Sequence, residues 1–266
     1  MAKFGFIGIG NMGGAIARSA AKAVDPAQIL VSAGHPEHAA AFSKKWGCVP
    51  SDNQTIAREA KFIVLGVKPQ YMAEVLSQLK PIIQVRTDAV LVTMAAGVTM
   101  DRISSMVGGG YPVIRIMPNT PAAVGKGVVI YDANDRVSKE DLAEFLEAMA
   151  PAGMLDRLPE KLIDAGSAVA GCGPAFAALF LETLADDGNA CGLPRAKAIQ
   201  YAAQMMLGTA ELLLRSGDHP GQIKDAVCSP GGSTIQGVRA LEVGGLRGSV
   251  MEAVIAAYEK SKEFSK

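Results

Sequence analysis

The sequence predicts an α/β fold in which a mostly parallel sheet, covered by helices on both faces, precedes an all-helical region. Up to about residue 160, short apolar runs alternate with helix-like segments; beyond it the strand pattern stops and Ala- and Leu-rich stretches follow. Continuous apolar runs too short for helices are typical of strands that are buried on both faces. Their alternation with helices favours a parallel sheet. We therefore expect two domains, residues 1–160 and 161–266.

Six runs rich in Val, Ile and Leu are the predicted strands of the first domain. They are Lys3–Ile7, Ile29–Ser32, Phe62–Val67, Ala89–Met94, Val113–Met117 and Val128–Tyr131. Among the helices between them, one begins after Ser138, whose side chain can cap it, with Asp141 as an acidic residue in its first turn. The apolar face of this helix carries Leu142, Phe145, Leu146 and Met149.

The second domain is predicted to contain only helices. Gly- and Pro-containing breaks at 192–194, 219–221 and 230–232 separate the stretches Pro174–Asn189, Arg195–Ser216, Thr234–Glu242 and Leu246–Phe264. The longest uncharged run, Ala165–Leu181, falls just short of a membrane span and is interrupted by glycines and a proline. We expect it to form a helix packed inside the protein.

Composition and charge exclude several classes of protein. Of the 266 residues, 49% are hydrophobic and 20% charged, which indicates a folded globular protein. The 26 basic and 26 acidic residues cancel, whereas nucleic-acid-binding proteins usually show a basic excess. The four cysteines have no CxxC or metal-binding spacing, and the N-terminus enters a strand-like run without room for a signal peptide. We expect a soluble, cytoplasmic protein without metal, nucleic-acid or membrane binding.

The first loop carries the glycine pattern of dinucleotide-binding proteins. Gly8-Ile9-Gly10-Asn11-Met12-Gly13 fits G-x-G-x-x-G between a predicted strand and a predicted helix. The first glycine permits the turn, the second lets the backbone approach a pyrophosphate, and the third allows close packing of helix and strand. Free N–H groups at the helix start attract the anion. The pattern predicts a Rossmann-like domain with cofactor contacts at Ile7, Gly8, Gly10, Asn11, Met12 and Gly13.

The end of the second strand indicates which dinucleotide is bound. An NAD site places Asp or Glu there, whereas this chain has Ser32-Ala33-Gly34-His35. The missing acid leaves room for a 2′-phosphate and favours NADPH. NADH remains possible, because no Arg stands nearby in the sequence to bind the phosphate and Glu37 can serve an NAD site instead. The candidate contacts are Ser32, Gly34 and His35.

Six motifs in order make the chain resemble the pyrroline-5-carboxylate reductase family along nearly its whole length. The glycine loop is shared with several reductase families, so the other motifs are more specific: Gly66–Gln70, Ala95–Thr99, Arg115–Pro121, Gly171–Ala175, and Asp225–Thr234 followed by Leu241–Gly245. The resemblance implies reduction of 1-pyrroline-5-carboxylate to L-proline, the last step of proline biosynthesis. Hydride would pass from NAD(P)H to the carbon of the C=N bond.

The resemblance also extends the cofactor site to other strand ends, where open α/β sheets bind ligands. It implies contacts at Asn53 beside the adenine-side ribose and at Gly66, Val67, Lys68, Pro69, Ala95, Ala96 and Gly97 around the second ribose and nicotinamide. Lys68 can alternatively be a solvated strand end. Two interpretations stay open for Asn119 and Thr120 in the Met117–Pro121 segment: a rigid loop, or a wall of the nicotinamide pocket.

The segment Ser229–Gln236 is the predicted substrate site. Its glycines expose N–H groups at a helix start, which can hold a carboxylate, and Thr234 adds a hydroxyl that can bind a ring nitrogen. Ser233 and Gln236 also match a capping box, which would give Ser233 a structural role. The resemblance implies substrate binding by Gly231, Gly232, Ser233 and Thr234, and we expect Thr234 to be the catalytic residue.

Two further residues are weaker substrate candidates. Cys172 lies in the Gly171–Ala175 motif just before Pro174, which suits the first turn of a helix. The family more often has Ser at the position of Cys172, and a thiol is a weaker hydrogen-bond donor. Glu182, two turns into the same helix, can contact either substrate or a neighbouring chain.

Two other functions remain open: reduction of another small imino or 2-hydroxy acid, and dinucleotide sensing without catalysis. A hydroxy-acid dehydrogenase would need a positioned catalytic Lys or His at the entry of its helical domain, and the stretch that directly follows Gly171 contains neither. The intact Ser229–Thr234 turn argues against a sensor.

The helical domain is too apolar to serve one small domain. The resemblance implies an intertwined helical homodimer or higher oligomer, with Thr234 facing the cofactor domain of the other subunit. The residues expected to pack against a second chain are Ala198, Tyr201, Ala202, Met205, Met206 and Leu212.

Overall fold

The computed structural model describes residues 2–263, and the chain divides into two compact units. The first unit comprises the residues up to Cys172 together with those from Ala257 onward, and the second is Gly173–Ala256. Phe264, the predicted end of the final helix, lies outside the described residues.

Eight strands of the first unit form one sheet. They are β1 (Ala2–Ile7), β2 (Ile29–Ser32), β3 (Val49–Pro50), β4 (Ala60–Leu65), β5 (Val90–Thr93), β6 (Val113–Pro118), β7 (Gly127–Ala133) and β8 (Gly153–Arg157). Their order is β3-β2-β1-β4-β5-β6-β7-β8, and every neighbouring pair is parallel except β6 and β7. The mostly parallel sheet and all six predicted strands are confirmed. The additional strands β3 and β8 are short and mostly exposed, so they lack the continuous apolar pattern of a buried strand.

Seven helices of the described residues lie wholly within the first unit and accompany the sheet. They are α1 (Asn11–Ala20), α2 (Pro36–Trp46), α3 (Asn53–Glu59), α4 (Pro69–Ile83), α5 (Met100–Met106), α6 (Lys139–Met149) and α7 (Glu160–Ala170). The predicted cap of α6 is confirmed, because the hydroxyl of Ser138 accepts a hydrogen bond from the backbone N–H of Asp141 at 3.0 Å. Three short 3-10 helices complete the connections of this unit.

Two apolar layers cover the two faces of the sheet. Phe62 and Val64 of β4 belong to the layer that contains α1 and α6, whereas Ile63 and Leu65 belong to the layer that contains α4 and α5. Because side chains alternate between faces along a strand, burial on both faces requires a continuous apolar run. This requirement explains why the strands could be recognised in the sequence.

The register of the parallel strands brings four loops to the same edge of the sheet. Ile7 at the end of β1 pairs with Ser32 at the end of β2 and with Leu65 at the end of β4. Leu65 in turn pairs with Thr93 at the end of β5. The glycine loop and the segments that follow β2, β4 and β5 therefore leave the sheet side by side.

The C-terminal region is helical, as predicted. Its helices are α8 (Gly173–Ala190), α9 (Arg195–Ser216), α10 (Pro220–Val227), α11 (Ser233–Val243) and α12 (Leu246–Glu263). The break expected at 219–221 lies at 217–219, between the end of α9 and the start of α10, and α10 itself is a helix that the sequence did not predict. The Nδ1 atom of His219 accepts from Gly221 N at 3.0 Å, and Gln222 Oε1 accepts from His219 N at 2.9 Å, so this segment caps a helix.

The apolar run Ala165–Leu181 is not packed inside the single chain, so that expectation is wrong. It lies within the helical segment Glu160–Ala190, which by length and composition alone could span a membrane, with a mean hydropathy of 1.5 and 11% of its most apolar window buried. Within this segment α7 ends at Ala170 and α8 begins at Gly173. Exposed apolar surface of this kind requires a cover that one chain does not supply.

A buried arginine ties α7 to the sheet. Arg115 of β6 is 1% exposed, and its guanidinium donates to Asp164 Oδ1 at 2.6 Å and to Glu160 Oε1 at 3.4 Å. Glu160 Oε1 also accepts from the backbone N–H of Met100 at 2.7 Å. Since Met100 begins α5 directly after the 95–99 segment, one carboxylate links α7, β6 and the loop that follows β5.

We expect Arg115→Met to lower the free energy of unfolding by about 3 kcal/mol, because Asp164 and Glu160 lose their buried cationic partner. Urea denaturation followed by circular dichroism, at one fixed protein concentration, measures the change. The matched control Arg136→Met removes an exposed cation from the same unit and should cost less than about 0.5 kcal/mol. A loss of under about 1 kcal/mol for Arg115→Met would contradict the proposed role of the network.

Candidate functional site

Two positions of the glycine loop and one position after β4 have no room for side chains. Gly8 has φ 95°, a conformation that favours glycine. A Cβ atom at Gly13 would lie 2.1 Å from the carbonyl oxygen of Gly8, and one at Gly66 would lie 2.2 Å from the same oxygen. The Gly8 carbonyl is therefore enclosed by α1 on one side and by the loop after β4 on the other.

Gly10 is different, because the space around it is open. A Cβ atom there would meet nothing within 4 Å, and Gly10 occupies the cap position of α1 without a side-chain hydrogen bond to the helix start. The first N–H groups of a helix need acceptors, and an anion can supply them. Gly10 and Asn11 border an open cleft of about 840 Å³. The open start of α1, with N–H groups that no side chain caps, therefore fits a pyrophosphate.

A second cleft, of about 880 Å³, lies beyond the end of β2. It is lined by Ser32, Ala33, Pro36 and the start of α3, including Asn53. The Ser32 hydroxyl donates to Asn53 Oδ1 at 2.6 Å, so the structure joins two residues that the sequence placed in the cofactor site separately. We refer to this cavity as the β2 cleft.

Gly34 and His35 are exposed beside the β2 cleft but do not line it. A Cβ atom at Gly34 would meet nothing within 4 Å. His35 occupies the cap position of α2, and its Nδ1 atom lies 3.6 Å from the carboxylate of Glu37. Glu37 is likewise absent from the lining of the cleft.

Sequence reasoning missed Arg58, which lines the β2 cleft from α3. Arg58 comes 26 positions after Ser32, and the fold brings it to the cleft, so the residues that directly follow β2 carry no signal for it. Asp52 also lines the cleft, and its carboxylate accepts from Thr55 N at 2.9 Å and Thr55 Oγ1 at 2.8 Å. These hydrogen bonds lower the pKa of Asp52, and they cap α3.

The loops after β4 and β5 meet in a third cleft, of about 620 Å³. Pro69 and Ala96 line it together with Arg102, whereas Val67 and Lys68 do not. Lys68 is exposed at the start of α4, Ala95 is buried, and Gly97 has φ 71°. Pro69 and Ala96, which are 27 positions apart in sequence, are thus neighbours at the sheet edge.

The structure separates the two candidates that follow β6. Asn119 is buried, its Nδ2 donates to the Ala170 carbonyl at 3.0 Å, and its Oδ1 accepts from Val128 N at 2.9 Å. Its amide is engaged within the protein, which favours the rigid-loop interpretation. Thr120 is exposed and lines the same cleft as Gly10 and Asn11, which leaves it accessible to a ligand.

In the second unit, the predicted substrate turn leads into α11. Gly231 has φ 71°, Gly232 occupies the cap position, and Ser233 is the first helical residue. The capping box is therefore wrong: Ser233 does not cap the helix, and Gln236 Oε1 accepts from Arg239 Nε at 3.2 Å instead. Among the described residues, the hydroxyls of Ser233 and Thr234 have no hydrogen-bond partner, and both residues are exposed.

Cys172 and Glu182 lie in different surroundings. Cys172 is a half-buried free thiol at the junction of α7 and α8, and its N–H donates to the Ser167 carbonyl at 3.0 Å. Glu182 is exposed on α8 and lines a cleft of about 650 Å³ with Arg195 of α9, which forms an ion pair with Asp186. No group of three or more His, Cys, Asp or Glu residues within the described range could hold a metal ion.

Comparison with known proteins finds the same family along the whole chain. Residues 160–264 match the model of the pyrroline-5-carboxylate reductase dimerisation domain, and residues 3–97 match that of the coenzyme F420-dependent NADP oxidoreductases. Pyrroline-5-carboxylate reductases of Escherichia coli and Pisum sativum are each 40% identical, over 99% and 98% of this chain and 98% and 95% of their own lengths. The NADP-bound pyrroline carboxylate reductase of Plasmodium falciparum, 32% identical, superimposes with a TM-score of 0.90 over 100% of this chain and 98% of its own. The chain belongs to the pyrroline-5-carboxylate reductase family.

Proposed function

We propose that this chain reduces 1-pyrroline-5-carboxylate to L-proline with NADPH as the hydride donor. The observation that carries the proposal is 40% identity to a reductase of that name over 99% of the chain. The open helix start at Gly10 supports dinucleotide binding, and the unpartnered hydroxyl of Thr234 supports a polar role toward a substrate.

Cofactor binding falls to the loops at the carboxyl edge of the sheet. NADPH, when bound, supplies a hydride. The N–H groups at the start of α1 hold its pyrophosphate, while Ser32 and Asn53 bind the adenine-side ribose. Gly66–Pro69 and Ala95–Gly97 flank the nicotinamide half. Asn119 has a structural role at this edge, because the hydrogen bonds of its amide fix the segment after β6.

We expect Gly10→Val and Gly13→Ala to fail for different reasons. A Cβ atom at Gly10 meets no protein atom, and the valine side chain fills the space over the helix start, so the Kd for NADPH should rise about tenfold or more. Because valine is a poorer N-cap than glycine, Tm should fall only slightly. A Cβ at Gly13 clashes with the Gly8 carbonyl, so Gly13→Ala should lower Tm. NADPH fluorescence and thermal melting give the two values. Unchanged NADPH affinity in Gly10→Val would contradict the assignment of the pyrophosphate site.

Substrate binding falls to the turn before α11. The N–H groups that follow Gly231 and Gly232 hold the carboxylate of the imino acid, because a helix start attracts anions. A C=N bond accepts hydride readily only when its nitrogen is protonated or strongly hydrogen-bonded. The Thr234 hydroxyl donates to this nitrogen, so the protein's contribution is positioning and polarisation. Ser233, released from the expected capping role, adds a second hydroxyl.

Thr234→Ala should lower kcat/KM for pyrroline-5-carboxylate about 100-fold, because one donor to the reacting nitrogen is lost. Thr234→Ser keeps the hydroxyl and should stay within about tenfold of the unchanged enzyme. The decay of NADPH absorbance measures both rates, and the Kd for NADPH should be the same in all three proteins. An alanine variant as active as the original would exclude Thr234 from catalysis.

The same assay distinguishes the alternative functions. Turnover of a different cyclic imino acid without turnover of pyrroline-5-carboxylate would change the substrate and keep the site. NADPH binding without turnover of either compound would indicate a sensor.

We propose that the helical region assembles the chain into a homodimer or higher oligomer. Tyr201 is 56% exposed, Met205 48% and Leu212 54%. These apolar side chains of the predicted contact face are therefore available to pack against another chain. Ala198 and Ala202 were wrongly assigned to that face, because they are buried in the second unit, where α9 packs closely against α8. A second chain, rather than lipid, then covers the apolar segment Glu160–Ala190.

Light scattering at micromolar concentration should give at least twice the 27.6 kDa mass of one chain. Leu212→Glu places a charge in the proposed interface and should lower that mass, since an unpaired buried charge is costly. The control Val85→Glu changes an apolar residue of the first unit that is 81% exposed, and should leave the mass unchanged. A single-chain mass for the unchanged protein would overturn the proposed assembly.

We also propose a dinucleotide-binding domain of residues 1–160 and a helical domain of residues 161–266, acting in the cytoplasm. The match to the dimerisation model begins at residue 160, which supports the division. The thiols of Cys48, Cys172, Cys191 and Cys228 are all free, and burial raises the pKa of Cys48 to about 11. Unpaired thiols are typical of a reducing compartment.

A further inference from the structure

We propose that Arg58 binds the 2′-phosphate of NADPH from α3 and thereby sets the preference of this chain for NADPH over NADH. This proposal rests on one part of the proposed function, namely that the chain binds a dinucleotide. It identifies the cation that the segment after β2 does not provide.

The β2 cleft favours an anion beside the ribose. In an NAD site, a carboxylate at the end of the second strand binds the ribose hydroxyls and repels a phosphate. Here β2 ends in Ser32, and Ala33 and Pro36 line the cleft after it. The nearby acid Glu37 is outside the lining and lies beside His35.

The position of Arg58 follows from the contact between β2 and α3. Ser32 donates to Asn53 Oδ1 at 2.6 Å, which fixes the first turn of α3 against the strand end where a ribose binds. Arg58 stands in the last turn of the same short helix and lines the same cleft. A ligand that reaches Ser32 and Asn53 therefore meets the guanidinium within one cavity.

The guanidinium is available to an anion. Its Nη2 atom donates to the neutral amide oxygen of Gln54 at 3.1 Å, and among the described residues no carboxylate lies within ion-pair distance. Arginine presents a planar set of donors that matches phosphate geometry. The remaining donors of Arg58 can bind a phosphate without breaking a salt bridge.

Asp52 limits the strength of this preference. It lines the β2 cleft and stays ionised, because its hydrogen bonds with Thr55 lower its pKa. Its Oδ1 caps α3 by accepting from Thr55 N, and its Oδ2 accepts from the Thr55 hydroxyl, so both oxygens already have donors. Its charge still opposes an incoming phosphate, so we expect NADPH to be favoured while NADH remains a usable cofactor.

A different use of Arg58 predicts a different result. A guanidinium can stack on the face of an adenine ring, and adenine is common to NADPH and NADH. Stacking would make Arg58 equally important for the two cofactors, whereas phosphate binding makes it important for NADPH alone.

The test compares 2′,5′-ADP with 5′-AMP by calorimetry, with no substrate present. We expect the unchanged protein to bind 2′,5′-ADP more tightly than 5′-AMP. Arg58→Ala should weaken the binding of 2′,5′-ADP about tenfold or more and change the binding of 5′-AMP less than about twofold. Arg58→Lys keeps the charge, so its affinity for 2′,5′-ADP should lie between that of the unchanged protein and that of Arg58→Ala. The control Arg136→Ala removes an exposed arginine that is not in the cleft lining and should change neither affinity.

Two results would overturn the proposal. Equal weakening of both nucleotides by Arg58→Ala would assign the residue to adenine stacking, and equal binding of both by the unchanged protein would exclude a phosphate site. Tm values for the variants identify any loss that comes from unfolding. The binding test uses no imino acid, so its result can be interpreted even if the chain does not reduce pyrroline-5-carboxylate. Conversely, a negative binding result for Arg58 would not argue against the reductase activity.

Discussion

The cofactor half of the site depends on the close approach of the Gly8 carbonyl to two backbones. Side chains at Gly13 or Gly66 would lie 2.1 and 2.2 Å from this oxygen, so both positions must be glycine. Because these two glycines have no side chains, α1 can begin close to the end of β1 and the loop after β4 can pass beside the Gly8 carbonyl. The start of α1 is thereby held at the sheet edge, with open space over Gly10. A pyrophosphate site follows from packing before any ligand is present.

Other contacts extend this edge and fix its supports. The bond between Ser32 and Asn53 carries the site from β1 toward α3, while Arg115 and Glu160 connect β6 with the loop that follows β5. Asn119 performs a similar role through its amide. The helical region buries less of its apolar surface, since side chains such as Leu212 remain exposed in one chain. The first unit has its own core, whereas the helices have a surface suited to association.

The sequence was sufficient wherever a local pattern and the tertiary structure made the same demand. Strands covered on both faces must be continuously apolar, and a phosphate-binding turn must contain glycines at fixed spacing, so both were recognisable. The errors arose where two local patterns competed. Gly232 and Ser233 are both good caps, and the helix uses the glycine, while His219-Pro220-Gly221 suits a break as well as a helix start. Arg58 was missed because its proximity to Ser32 is created by folding and has no signature in the residues around β2.

In the proposed reaction, hydride passes from NADPH to the C=N carbon of a five-membered imino acid. The most direct measurement incubates the protein with pyrroline-5-carboxylate and NADPH in which both hydrogens at C4 of the nicotinamide are deuterium. Mass spectrometry then locates the label in the product. We expect L-proline with a single deuterium at C5. Proline without deuterium, or consumption of NADPH without formation of proline, would contradict direct hydride transfer to this substrate.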